Sequence, residues 1–204
     1  MIKQFILFLA MLTGCSYAQS VYKEVAKIND STDYYLEIGL FNKEEKKSVS
    51  KAILFTEKAV AFAKNKGQKS KLGAAYLQLA YVYYDIDKNE LSIDNYIRAI
   101  NVLDKKKPTA NLALAYYGLG KCYLKKNKIA VAEVYFDKAS SLYETLNYSD
   151  AIELINLQKG IINKEKKQYA TAKIILQSVI ENLVNDSFLT TKIEAYFQLG
   201  EIEM

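Results

Sequence analysis

The chain has 204 residues, half of them apolar and a quarter charged, a balance that buries a core and excludes intrinsic disorder. Its net charge of +5 comes from lysines scattered over turns and outer faces, with no basic stripe, so nucleic acid is not an expected partner. Histidine is absent altogether, which removes His–metal sites, His general bases and Ser–His or Cys–His nucleophile pairs. One proline, eight glycines and no β-type alternation predict an all-α fold.

The first eighteen residues are expected to be a signal peptide. Lys3 precedes the apolar run Phe5–Leu12, the length of a signal-peptide core and too short to span a bilayer. Leu12-Thr13-Gly14-Cys15 resembles a bacterial lipobox, which implies cleavage before Cys15 and a diacylglycerol on its thiol. Ser16-Tyr17-Ala18 equally satisfies the small-x-small rule for ordinary cleavage after Ala18. Both alternatives take the mature chain out of the cytoplasm, to the periplasm or to a lipid anchor on the envelope. Residues 19–31 are expected to form a linker or capping segment, and residues 32–204 a repeat domain.

Within that domain four helical hairpins are predicted. They run over about 32–64 with a turn at 42–47, 72–105 turning at Asp87-Lys88-Asn89, 109–146 turning at Lys125–Lys128, and 149–185 turning at Lys166-Lys167-Gln168. A further first helix begins near Thr190 and carries Ile193, Tyr196, Phe197, Leu199 and Ile202. It is apolar on the side a second helix would cover, so residues 190–204 are expected either to fray or to mediate self-association.

The clearest hairpin is Ala113–Ala139. Tyr116, Leu119, Gly120 and Tyr123 share one face of its first helix, and Ala132, Tyr135, Phe136 and Ala139 share one face of its second. Forty-residue steps from Gly120 land on Ala80, Gly160 and Gly200, and the second-helix positions repeat as Ala52, Ser92, Ala132 and Ala172. Helix axes about 8–10 Å apart require small residues where backbones cross at the near end of that range, so Ala80, Gly120, Gly160 and Gly200 are the expected crossing points. Gly118 is expected to point elsewhere and to tolerate alanine. The unit near Glu153 is degenerate, with Asn156 and Lys159 where other units have Tyr and Leu.

This pattern resembles the tetratricopeptide repeat (TPR). The family's consensus is about 34 residues, so the forty-residue unit carries extra residues, placed at the second helix's end and the loop after it. The resemblance implies a right-handed α-solenoid whose first helices form a concave wall that receives peptides or partner helices. Residues turned away from the second helix would line it: Leu77, Tyr81 and Tyr84, then Tyr117, Lys121 and Lys125, then Leu157, Ile161 and Lys164. An aromatic wall edged by lysines suits a protein segment with apolar anchors and some acidic residues. The alternative is that these side chains only pack between neighbouring hairpins. Leu77 and Tyr81 stand where the carboxylate-binding subset of the family has paired Lys and Asn, so chaperone-tail binding is not carried over.

No phosphate-binding loop, dinucleotide fingerprint, CxxC or EF-hand loop occurs. Asp85 and Asp87 at a helix end are expected to cap a turn. Cys122 would be the lone cysteine of the mature chain and is expected to be a buried structural thiol. No enzyme activity, cofactor or metal is expected. Two functions fit: an exported interaction module in the sensory or scaffold part of a signalling system, or a self-contained periplasmic lipoprotein adaptor for envelope assembly.

Overall fold

The computed structural model describes residues 31–44, 48–184 and 188–203. The signal-like segment, Cys15, both cleavage sites and most of the 19–31 linker lie outside the described residues. Long helices account for nearly all of the rest: α1 (Ser31–Glu44), α2 (Val49–Asn65), α3 (Lys69–Asp85), α4 (Asn89–Val102), α5 (Ala110–Lys125), α6 (Ile129–Thr145), α7 (Ser149–Glu165), α8 (Tyr169–Asn182) and α9 (Leu189–Glu203). Successive pairs α1–α2, α3–α4, α5–α6 and α7–α8 pack as hairpins, and each second helix also packs on the next first helix, so the fold is an α-solenoid. First helices approach one another at α1–α3, α3–α5 and α7–α9; α5 and α7 stay further apart.

The turns keep a twenty-residue beat. Gly67, Asp87, Asn127, Asn147 and Lys167 all have φ between 55° and 65°. At each, the residue's own N–H and the next one close the preceding helix in a Schellman pattern, as in Asn127 N to Leu124 O (2.8 Å) and Lys128 N to Tyr123 O (2.9 Å). Gly, Asn and Asp accept the left-handed conformation at little cost; Lys167 does not. Lys167→Gly is therefore expected to stabilise the fold by about 0.5–1 kcal/mol, the relief of strain being partly offset by the freer unfolded chain. Denaturant melts of the two proteins read that difference directly.

The residues beyond the consensus length are accommodated in two ways. α2 and α6 lengthen to 17 residues and end in a tight turn, whereas α4 and α8 stop at 14 and hand the surplus to a loop. After α4 the chain turns extended at Leu103 and re-enters a helix at Thr109, whose side chain caps α5 by accepting from Leu112 N at 3.2 Å. Ser48 caps α2 in the same way.

The core follows the hairpins. Leu77, Tyr96, Ile100, Leu103, Leu112 and Leu119 fill the seam between the second and third hairpins. Ala113, Phe136, Tyr143, Ile155 and Ile162 join α5 and α6 to α7, and Leu157, Leu176, Val179, Leu183 and Ala195 seat α9. Gly120 and Gly160 are true crossings. A Cβ at Gly120 would stand 2.5 Å from Phe136 Cε1, and one at Gly160 would stand 2.7 Å from Leu176 Cδ2. Ala80 is fully buried, with its carbonyl accepting from Ser92 Oγ at 2.8 Å.

At Gly200 nothing lies within 4 Å of a Cβ, and no crossing is seen there among the described residues. One expectation about glycine is corrected. Gly118 is not free to take alanine, since its Cβ would stand 2.1 Å from Tyr96 Cζ. The cause is Ala80. Tyr96 occupies the register that Phe136 and Leu176 hold forty and eighty residues on, but it faces a methyl group where they face glycine. Its ring swings onto the next hairpin instead, and Gly118 makes the room.

A candidate peptide-binding wall on the first helices

The wall centres on Tyr84 of α3. Lys121 and Lys125, one turn apart on α5, place their Nζ atoms 4.5 Å and 4.2 Å from the centre of the Tyr84 ring. Lys121 also lies 5.7 Å from the Tyr117 ring, and Lys125 Nζ bonds Asp87 Oδ1 at 2.6 Å. That bond holds the Lys125 ammonium above its ordinary pKa and the exposed Asp87 carboxyl below its own. Both are charged at neutral pH.

The phenols are held neutral. Burial pushes Tyr81, Tyr117 and Tyr84 up, with Lys125 pulling Tyr84 partly back, and it pushes Tyr143 up to about 12. They therefore offer aromatic faces and hydroxyls, and the lysines supply positive charge. Beneath them Tyr81 meets Tyr96 edge-on at 6.1 Å, and Tyr117 leans on Phe136 at 5.9 Å. Tyr96 and Phe136, which form this floor, come from second helices and were not anticipated as part of the wall.

The predicted lining residues divide. Tyr81, Tyr84, Tyr117, Lys121 and Ile161 are half-buried and Lys125 is exposed. Leu77 and Leu157 are not wall residues: they are 3% and 5% exposed, closed over by the following hairpin and by α8 and α9 respectively. Lys164 bridges to Glu201 of α9 at 2.6 Å, one of a series of lysines that tie each hairpin to a neighbour. Others are Lys126–Glu90 at 2.6 Å, Lys159–Asp137 at 2.7 Å and Lys166–Glu133 at 2.5 Å.

Cys122 is fully buried. Its Sγ lies 3.3 Å from Ser92 Oγ, and burial raises the thiol's pKa in spite of that hydrogen bond, as a structural cysteine requires. Among the described residues no cluster of acidic or sulfur side chains is arranged to hold a metal, and no helix is long and apolar enough to cross a membrane.

Comparison with known proteins bears on the hairpins themselves. The tetratricopeptide repeat model matches residues 71–145, the stretch holding α3 to α6. BtubC (BKLC) from P. vanneervenii superposes with a TM-score of 0.74 at 13% identity, covering 90% of this chain and 78% of its own. The apo form of RapI superposes at 0.70 with 16% identity over 95% of this chain, which spans only 56% of RapI. Both likenesses are of fold, and no curated protein matches the sequence. The matched stretch contains the Gly120–Phe136 crossing, so residues 71–145 carry tetratricopeptide repeats, and the hairpins on either side share their helical fold.

Proposed function

We propose that this chain is an exported, non-catalytic interaction module that holds an acidic, apolar-anchored segment of a partner protein against α3 and α5, as the sensory or scaffold part of a signalling system. The repeat fold supports protein binding in general. The observation that carries the finer reading is the Tyr84 ring flanked by Lys121 and Lys125, beside half-buried Tyr81 and Tyr117. An acidic side chain there would exchange with the exposed Asp87 carboxylate on Lys125, next to a surface of neutral rings, so an adjacent apolar residue is recognised along with the charge. Export rests on Lys3 and the apolar run that follows it. The Leu12–Cys15 lipobox favours a second reading, a lipid-anchored adaptor for envelope assembly, which uses the same wall.

Selection from a random peptide library tests the wall. Binders to the parent protein are expected to combine an acidic residue with an aromatic or aliphatic one, and to weaken by roughly tenfold or more against Lys121→Glu or Tyr84→Ala. Binders without acidic residues, or binders indifferent to both substitutions, would overturn the assignment.

A further inference from the structure

Asp87 stands at the edge of the wall, in a turn that has no need of its carboxylate. Its φ of 58° and the bonds Asp87 N to Tyr84 O (3.1 Å) and Lys88 N to Tyr83 O (2.9 Å) close α3. Forty residues on, Asn127 closes α5 with the same pair of bonds, and eighty residues on Lys167 does so for α7. The turn therefore runs on backbone bonds. What the carboxylate of Asp87 does is reach across to Lys125 Nζ, 2.6 Å away on the next hairpin.

Two features separate this pair from a simple tie between hairpins. Its lysine is also a wall cation, 4.2 Å from the centre of the Tyr84 ring. Its acid is 84% exposed, against 37% for Glu201 and 36% for Glu133 in the ties to Lys164 and Lys166. An exposed carboxylate on a fixed turn swings into water at little cost, so this bond is exchangeable while the fold stays as it is.

We infer that Asp87 is a built-in competitor for the wall, holding Lys125 as a partner's acid would and setting the threshold that a partner must exceed. The inference rests on the proposed binding of an acidic segment there. A segment with an acid alone trades one carboxylate for another on Lys125 and gains little. A segment with an acid beside an apolar residue also gains contact with Tyr81, Tyr84 and Tyr117, and that surplus displaces Asp87. Asp87 thus lowers what charge alone contributes and leaves the apolar contact to decide.

The test compares the full chain with its Asp87→Asn and Glu90→Gln variants by fluorescence anisotropy. The probes are the tightest acidic peptide selected on the parent protein and a copy with its acidic residues changed to the amides. Asparagine suits the turn, as Asn127 shows. Glu90→Gln removes the same charge three residues away, from a carboxylate bonded to Lys126 at 2.6 Å. Asp87→Asn is expected to tighten the acidic peptide roughly two- to sixfold, the gain from vacating a site held by an exposed ion pair, and to steepen its salt dependence. The amide copy should not gain, and Glu90→Gln should leave both affinities unchanged. No gain from Asp87→Asn, an equal gain from Glu90→Gln, or an equal gain for the amide copy would overturn the inference and leave the wall standing on its response to Lys121→Glu. Peptides that ignore Lys121→Glu would remove the wall and the inference together.

Discussion

Gly120→Leu is expected to destabilise the protein by about 3 kcal/mol or more, at the upper end of what overpacking costs. Even a single methyl group there would stand 2.5 Å and 2.6 Å from two carbons of the Phe136 ring. That ring has nowhere to retreat, because it is fully buried between Ala132 and Ala139. A penalty of this size lowers the melting temperature by roughly 6–12 °C in a chain of this length. Gly200→Leu is the matched control. It has the same residue types and the same register, but open space beside it, so its melt is expected to equal or slightly exceed the parent's through better helix propensity. Equal melts for both variants would remove Gly120 as a crossing point.

Tyr96→Ala is expected to cost about 3–5 kcal/mol, the range for emptying a buried aromatic site. The ring is 1% exposed and fills the seam between the second and third hairpins, edge-on to Tyr81 and against Gly118. Gly118→Ala should also destabilise, since the clash with Tyr96 outweighs the gain of about 1 kcal/mol in helix propensity. The two effects are coupled. In a Tyr96→Leu background, where the far end of the ring is gone, Gly118→Ala should become neutral or stabilising, giving a coupling energy of about 1–3 kcal/mol in a double-mutant cycle. Additive effects would show that the ring does not occupy the Gly118 site.

The sequence made the helices and their pairing legible because a hairpin is a local object. The spacing of Tyr116, Leu119, Gly120 and Tyr123 locates one face, and the Schellman turns at Asp87, Asn127 and Lys167 fall where polar runs have nothing to bury. Contacts between hairpins were less legible, because they depend on how far each unit rotates onto the next. Leu77 and Leu157 hold the register of wall residues, yet each is closed over by its own second helix together with the unit that follows.

The signal for Tyr96 was nevertheless present, as a break in the beat. Gln78, Gln158 and Gln198 hold the register in which the third unit has Gly118. A glycine that replaces a repeated glutamine, one hairpin after an alanine replaces a repeated glycine, is the trace of a ring that has changed neighbours.

The degenerate fourth unit has a similar explanation. Asn156 and Lys159 do not weaken the unit so much as change the kind of contact. Asn156 and Asn182 donate to the buried Glu153 carboxylate at 3.1 Å and 2.8 Å, and Lys159 reaches back to Asp137 of the preceding hairpin. Polar pairs of this kind carry no apolar periodicity, so pattern reading sees only a gap.

The account rests most heavily on the claim that the first-helix wall is where a partner is held. Photo-crosslinking in the cells that make the protein tests this most directly, with a benzophenone amino acid placed one position at a time. Tyr84 and Ile161 sample the wall, while Val134 and Ile174, 53% and 69% exposed, sample the outward faces of α6 and α8. The account predicts a discrete adduct of one mass from both wall positions, recovered in the envelope fraction and lost with Lys121→Glu, and none from the outward positions. Adducts confined to Val134 and Ile174, or a protein retained in the cytoplasm with residues 1–18 still attached, would contradict it.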